Sequence, residues 1–368
     1  MPSPLQHDVP SAPPAWKGRA AVSNRESRFN RTRHEPIAPQ PGEEVQAAVP
    51  PVTEVRIELA RTIISTNRSP DLPFDRSINP YRGCEHGCVY CYARPTHAYL
   101  GLSPGLDFES KIYAKTNAAE LLRKELERAG RSGSMIALGA NTDPYQPGER
   151  RLRITRALLE VLGGFEHPVT ITTKSTLVTR DIDLLAPIAA KGRLKVLISV
   201  GTLDREIART LEPRAPAPER RIEAVARLAA AGIPTGVIVA PVIPALTDKD
   251  LEHVLQAAAE AGARSASYVL LRLPLEVADL FREWLQTHQP LRARHVMSMI
   301  NQMRGGRDND SRFGIRMRGT GLLADLIERR FSVACKRLGL NTGLESGSAP
   351  PVPSPEEPQP AQQLPLFD

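Results

Sequence analysis

The chain has 368 residues, 41% hydrophobic and 24% charged, with a formal net charge of +7 and four cysteines. Such a length supports one large or two medium domains whose core needs no disulfides, and four thiols, three of them crowded together, make a poor disulfide framework. No run approaches the roughly 18 apolar residues of a membrane span, and the polar, proline-rich start does not read as a secretory signal. The expectation is a soluble cytoplasmic protein with no membrane partner.

Residues 1–52 hold ten prolines and residues 343–368 hold seven, half of the 34 in the chain. Segments of this kind bury too little apolar surface to order themselves, so both read as disordered tails, the first of them a basic arm. In that arm, between Trp16 and His34, Lys17, Arg19, Arg25, Arg28, Arg31 and Arg33 stand against Glu26 alone. A second basic segment, from Arg304 to Arg318, sets five arginines against Asp308 and Asp310. Each is either a solvated surface or a contact for a polyanion, and composition leaves the two open.

The first strand is expected around Ser77-Ile78-Asn79-Pro80, leading into a cysteine loop. A helix follows over 118–129, with Leu121, Leu122, Leu126 and Ala129 at helical spacing and Gly130 as its stop. Further strands are expected at 134–139, 169–173, 194–200, 235–240 and 267–273. Helices separate them at 156–162, 181–190, 219–231 and 248–261, the last capped by Thr247. Helical segments at 275–286 and 295–303 precede a final helix at 321–338. Six strand–helix units suggest an α/β fold, a partial (βα)6 TIM-like barrel over 53–275 with a helical extension over 276–342. An open sheet is the competing architecture.

In parallel α/β folds the active site lies at the carboxyl ends of the strands. The loop after the first strand carries Cys84, Cys88 and Cys91, spaced C-x3-C-x2-C. Thiolates suit zinc, copper(I) or an iron–sulfur cluster. Structural zinc takes four protein ligands and a protein-saturated cubane takes four cysteines. Three clustered thiols and a distant Cys335 instead suggest a cubane with one iron open to an outside ligand. The alternative is zinc with His86 as fourth ligand, strained because His86 lies inside the C-x3-C loop; otherwise His86 faces solvent or shields the cluster. Later strands end in Asn141-Thr142-Asp143, in Thr173-Lys174-Ser175 and in Ser199, with Glu212, Arg214 and Arg221 beyond. Cys335, at an apolar helical position, reads as core.

The Cys84-x3-Cys88-x2-Cys91 motif, with Tyr90 before its last cysteine, resembles the cluster motif of the radical S-adenosylmethionine (radical SAM) superfamily. Asn79-Pro80-Tyr81-Arg82-Gly83-Cys84, Thr142-Asp143-Pro144-Tyr145-Gln146-Pro147, Thr173-Lys174-Ser175 and Glu212-Pro213-Arg214 with Arg221 are similar to the branch around spore photoproduct lyase. The resemblance covers residues 75–275. It implies that Cys84, Cys88 and Cys91 bind three irons of a [4Fe-4S] cluster whose fourth iron takes the amino and carboxylate groups of S-adenosylmethionine. Reductive cleavage then gives methionine and a 5′-deoxyadenosyl radical that abstracts hydrogen from substrate. It also implies Asn141, Thr142 and Asp143 at the methionine amino group, Lys174 at the carboxylate and Ser199 at the ribose or carboxylate. Arg214 or Arg221 would orient the site through Glu212, and a flavodoxin or ferredoxin would be the reductant.

Spore photoproduct lyase quenches a substrate radical with a cysteine, which makes Cys335 the candidate catalytic hydrogen donor here. The loop Asn141-Thr142-Asp143 has no thiol, and this departure argues against the same thymine-dimer reaction. Gln363-Leu364-Pro365-Leu366-Phe367 looks like the short peptide by which bacterial repair and replication proteins bind the DNA sliding clamp. With the basic arm, it tilts the expected substrate toward DNA, for lesion repair or modification. Radical chemistry on a protein or small molecule is one alternative, and a non-catalytic cluster protein recruited to the clamp is another.

Overall fold

Alternating β-branched and helical runs build a seven-stranded sheet in which six strands run parallel. A computed structural model describes residues 16–30, 51–129 and 134–342. The clamp-like peptide, the C-terminal tail from 343, most of the basic arm and Gly130 lie outside these residues. The strands among the described residues are β1 (Glu54–Glu58), β2 (Ile64–Thr66), β3 (Arg76–Ile78), β4 (Tyr81–Arg82), β5 (Lys111–Lys115), β6 (Ile136–Leu138), β7 (Val169–Thr173), β8 (Leu194–Ser199), β9 (Thr235–Val242) and β10 (Ser265–Leu270).

The large sheet has the order β10-β9-β8-β7-β6-β3-β2, and only β2 is antiparallel. From β3 to β10 the spatial order follows the chain without reversal, so there is no switch point as in a doubly wound sheet. Right-handed crossovers then put successive helices on one face. The helices Ala118–Ala129, Ile154–Gly164 and Ile182–Ala190 accordingly touch in sequence. Among the described residues the sheet is open: β2 pairs only with β3 at one edge and β10 only with β9 at the other. Register sets Ile78 beside Leu138, Leu138 beside Ile171, Thr173 beside Ile198 and Ser199 beside Ile238. The loops leaving these strands therefore open on a common rim.

A second, three-stranded sheet, β1-β5-β4, delivers the chain into the cysteine loop. Its signal was the strict alternation in Glu-Val-Arg-Ile-Glu (54–58) and Lys-Ile-Tyr-Ala-Lys (111–115). The main core lies between the large sheet and its helices, with Leu138, Ile171, Val196, Ile198 and Val237 fully buried. A separate apolar cluster packs Val89 of the cysteine loop with Leu211, Phe281 and Trp284. The extension helix Val277–His288 supplies the last two, and the Trp284 indole donates to the Thr210 carbonyl at 3.0 Å. No helix among the described residues is long and apolar enough to cross a membrane.

Two expectations change. Residues 16–30, which composition places in a disordered arm, pack against the protein, with Ala20, Ala21 and Val22 buried. What orders them is hydrogen bonding to carboxylates far along the chain, which composition cannot show. The backbone of Ala20 and Ala21 donates to Glu109, the Asn24 amide to Asp107, and Ser23 and Arg25 to Glu283. Thr247 does not cap the helix that follows it. Its hydroxyl donates to the Pro241 carbonyl at 3.1 Å and accepts from the Ile243 amide at 2.9 Å, closing the turn after β9.

Candidate active site

The cysteine loop is held by buried charge. The Arg94 guanidinium, fully buried, donates to the carbonyls of Cys88 at 2.8 Å, Gly87 at 3.0 Å, Pro104 at 3.0 Å and Gly105 at 2.8 Å, and pairs with Glu109. Glu109 in turn accepts from the Ala20 and Ala21 amides, while Arg19 donates to its main-chain carbonyl at 2.8 Å. A buried pair is tolerated when every donor and lone pair is used, as here. Gly83 and Gly87 take the left-handed backbone that the loop needs. A Cβ on Gly87 would meet the Glu109 carboxylate at 2.8 Å. Gly87→Ala is therefore expected to lower stability by roughly 1–2 kcal/mol from backbone strain alone, read as a reduced urea midpoint, with a further loss from displacing Glu109.

The three loop thiols are free, Cys84 and Cys88 buried and Cys91 half-buried. Burial raises all three above the ordinary thiol range, Cys88 to about 12; the Cys88 and Cys91 sulfurs further disfavour a thiolate at Cys84, and Cys91 does so at Cys88. Three thiolates this close and this dry require a compensating polycation, which suits an iron–sulfur cluster. The zinc alternative finds no geometry. His86 is buried instead of facing solvent, its Nδ1 is 3.3 Å from Asp143 Oδ2, and it turns to that carboxylate. Among the described residues no three His, Cys, Asp or Glu side chains are grouped to hold a single metal ion, the three loop thiols included.

Beside the thiols lies a second buried network. Lys174, after β7, reaches Ser199 Oγ at 2.7 Å and Glu212 at 3.0 Å. Its ammonium stands 5.7 Å from the centre of the Tyr90 ring. Glu212 also pairs with buried Arg221 and accepts from the Tyr90 hydroxyl. Burial alone would raise the Glu212 carboxyl, but Arg221, Lys174 and Tyr90 outweigh it and hold it down at about 2. Arg221 donates on to the carbonyls of Pro216 and of Ser199 itself. Lys174, Ser199, Glu212 and Arg221 are thus brought together as expected. Arg214 is not: it pairs with Glu85 at 3.2 Å.

The loop after β6 needs a finer assignment. Thr142 donates to the Tyr81 carbonyl at 2.8 Å. Asp143 accepts from Thr173 Oγ1 at 2.7 Å, the Lys174 amide at 2.8 Å and the Tyr145 amide at 2.8 Å. Burial would raise the Asp143 carboxyl, yet His86 and these donors hold it below its ordinary value. Thr142 and Asp143 therefore brace the loops, which leaves Asn141 as the member of the trio whose side chain has no protein partner among the described residues. Gln146, unassigned from sequence, bridges the Glu85 amide and the Gly83 carbonyl. Cys335 is not on this rim. It lies in the main core, where Asn341 approaches its sulfur at 3.9 Å while bonding Ala266 at the amino end of β10. That placement fits a core thiol and takes the hydrogen-donor role from it.

The model of the radical SAM superfamily matches residues 78–258. Over those residues, just under half of the chain, it is similar to the radical SAM superfamily. An uncharacterized protein of Mycobacterium tuberculosis (strain ATCC 25618 / H37Rv) is 40% identical to it over 221 residues, covering 60% of this chain and 65% of that relative. The match thus spans just under two thirds of the mycobacterial protein. An uncharacterized protein of Methanocaldococcus jannaschii is 27% identical over 213 residues, 58% of this chain and 76% of its own length. Among solved structures, a spore photoproduct lyase mutant superposes with a TM-score of 0.57 at 16% identity, over 78% of this chain and 80% of that one. Spore photoproduct lyase complexed with dinucleoside spore photoproduct gives 0.56 at 16% identity over the same shares. At such identity the likeness is one of fold. For a radical SAM protein the thiol trio and the Lys174–Glu212–Arg221 network fall at the strand ends where that fold places its chemistry.

Proposed function

We propose that this protein is a radical SAM enzyme built on a partial (βα)6 barrel, with a [4Fe-4S] cluster on Cys84, Cys88 and Cys91 and S-adenosylmethionine beside it. The observation that carries this reading is a thiol trio, two of its members buried, sharing its rim with the ion-paired Lys174–Glu212–Arg221 network. When bound, the cluster supplies the electron that splits S-adenosylmethionine into methionine and a 5′-deoxyadenosyl radical, which takes hydrogen from substrate. Glu212, held ionised, fixes the Lys174 ammonium beside Ser199, ready for a carboxylate. The Asn141 amide offers its oxygen to an amino group. Buried Arg221 backs the network and, with Trp284 and Val89 behind the loop, excludes water that would quench a radical.

The substrate reading is nucleic acid, with repair or modification of a base as the reaction; structures of fold-related spore photoproduct lyase contain a dinucleoside lesion. Neither the loop 139–147 nor Cys335 brings a thiol to this rim, so hydrogen return from a protein cysteine is not part of the proposal. Flavodoxin or ferredoxin would supply electrons, and Gln363-Leu364-Pro365-Leu366-Phe367 would tether the enzyme to the sliding clamp. Anaerobic reconstitution with iron and sulfide should give a brown protein that forms 5′-deoxyadenosine under dithionite. The Cys84→Ala, Cys88→Ala, Cys91→Ala variant should form none above background. A colourless wild-type protein retaining only zinc would sink the reading. Turnover on a peptide pool, with none on damaged oligonucleotides, would move the substrate to protein.

A further inference from the structure

Among the described residues the basic segments do not make a uniform polyanion surface, because five of their nine cations are paired with carboxylates. Arg25 and Arg28 meet Glu283 and Glu276, Arg312 meets Asp310, and Arg318 meets Glu328. Arg304 is buried and donates to the carbonyls of Leu271, Ile315 and Arg316, which folds the arginine-rich loop against the carboxyl end of β10. What that loop then presents is specific. Arg316 is tied to Asp71 at 2.6 Å and lies 4.8 Å from the centre of the Phe313 ring. Arg272, two residues beyond β10, lies 5.4 Å from the centre of the Tyr92 ring.

Arg272 is the anomaly. Its Nε is buried without a hydrogen-bond partner, and its guanidinium contact among the described residues is Met317 Sδ at 3.7 Å. Asp71, the carboxylate in its field, is taken by Arg316 and by the Gly314 amide. Arg304 and Arg316 add further positive charge around it. Buried donors are rarely left without acceptors. Tyr92 directly follows Cys91, is 46% exposed, and donates its hydroxyl to the Ala140 carbonyl; Phe313 is 57% exposed. An unpaired guanidinium beside the accessible Tyr92 ring, followed by Arg316 and the accessible Phe313 ring, matches how single strands are held: bases on aromatic faces, phosphate on cations.

We propose that Tyr92, Arg272, Arg316 and Phe313 form a track for a single nucleic-acid strand at the mouth of the site, with Arg272 taking a phosphate and the two rings taking bases. This rests on the nucleic-acid reading above. The test is fluorescence anisotropy of the reconstituted protein with a labelled oligothymidylate of about ten nucleotides, titrated with salt. Arg272→Gln should weaken binding about tenfold and reduce the slope of log K against log salt by about 0.7, the share of one phosphate contact on a single strand. Arg272→Lys should restore the slope. Tyr92→Leu and Phe313→Leu should weaken binding roughly tenfold with the slope unchanged. Variants are compared only where their thermal midpoints match wild type.

An unchanged slope in Arg272→Gln overturns the proposal. So does a loss of S-adenosylmethionine binding by equilibrium dialysis with strand affinity intact, which would assign the anion to the cofactor carboxylate. If wild type cleaves S-adenosylmethionine but binds no strand at physiological salt, the track and the nucleic-acid substrate fail together while the reaction class stands. If it binds the strand as described but cleaves no S-adenosylmethionine, the track stands and the reaction class fails.

Discussion

Replacing Arg94 with alanine is expected to release the cysteine loop, destabilise the fold by about 3–5 kcal/mol and leave the reconstituted protein with little iron. The Arg94 side chain bonds no thiol sulfur and acts on the main chain of the loop. It collects the carbonyls of Gly87 and Cys88 on one side and of Pro104 and Gly105 on the other, and Glu109 closes the ring. Without it, Glu109 becomes a buried carboxylate whose neutralising partner is gone, and the loop loses its centre. Lysine should rescue poorly, since one ammonium cannot reproduce a planar fork that serves five acceptors. Urea unfolding of the cluster-free protein reports the stability, and iron content with the EPR signal of the reduced cluster reports the loop. Full iron retention in Arg94→Ala would remove Arg94 from a positioning role. Glu109→Gln should fall between, because its one remaining oxygen still accepts from one of the Ala20 and Ala21 amides, while Arg94 is left uncompensated.

The second large effect concerns Glu212. Glu212→Gln removes the charge that holds both Lys174 and buried Arg221, and should cost about 3–5 kcal/mol at neutral pH. The carboxyl ionises at about 2 in the fold against an ordinary 4.5. A depressed carboxyl contributes stability that is complete above the unfolded value and is lost as pH falls through the folded one. The gap between wild type and Glu212→Gln should therefore be widest above pH 4.5 and close as pH drops toward 2. Urea midpoints of the cluster-free proteins across that range check it; a gap independent of pH would mean that packing, not charge, explains the loss. In the reconstituted enzyme the same substitution should weaken S-adenosylmethionine binding, because Lys174 loses its anchor while Ser199 alone remains to orient it.

Much of this site is legible in the chain because its signals are local. Cys84, Cys88 and Cys91 fall within eight positions, and Lys174 and Ser199 end strands whose β-branched runs mark them. Since loops after parallel strands share a rim, these residues can be grouped before any coordinates are known. Other assignments needed the fold. Thr142 and Asp143 carry the same motif as Asn141, but register turns them onto Tyr81, Thr173 and the Lys174 amide. Arg214 and Arg221 are seven positions apart, yet one meets Glu85 and the other Glu212. Nothing in their local pattern distinguishes them.

The sequence by itself determined where the six parallel strands lie and the thiol trio that follows the first of them, because periodicity and short spacings survive without tertiary contacts. The tertiary structure decided which charges are spoken for. Arg19 bonds the Glu109 carbonyl across 90 positions, Ser23 bonds Glu283 across 260, and Arg316 bonds Asp71 across 245. A buried carboxylate can order a proline-rich segment that composition assigns to solvent, and an ion pair can silence an arginine that composition counts as free. Hence the basic arm became a strap on the cysteine loop, and Arg272, inconspicuous in the sequence, was left as the cation without a carboxylate at the mouth of the site.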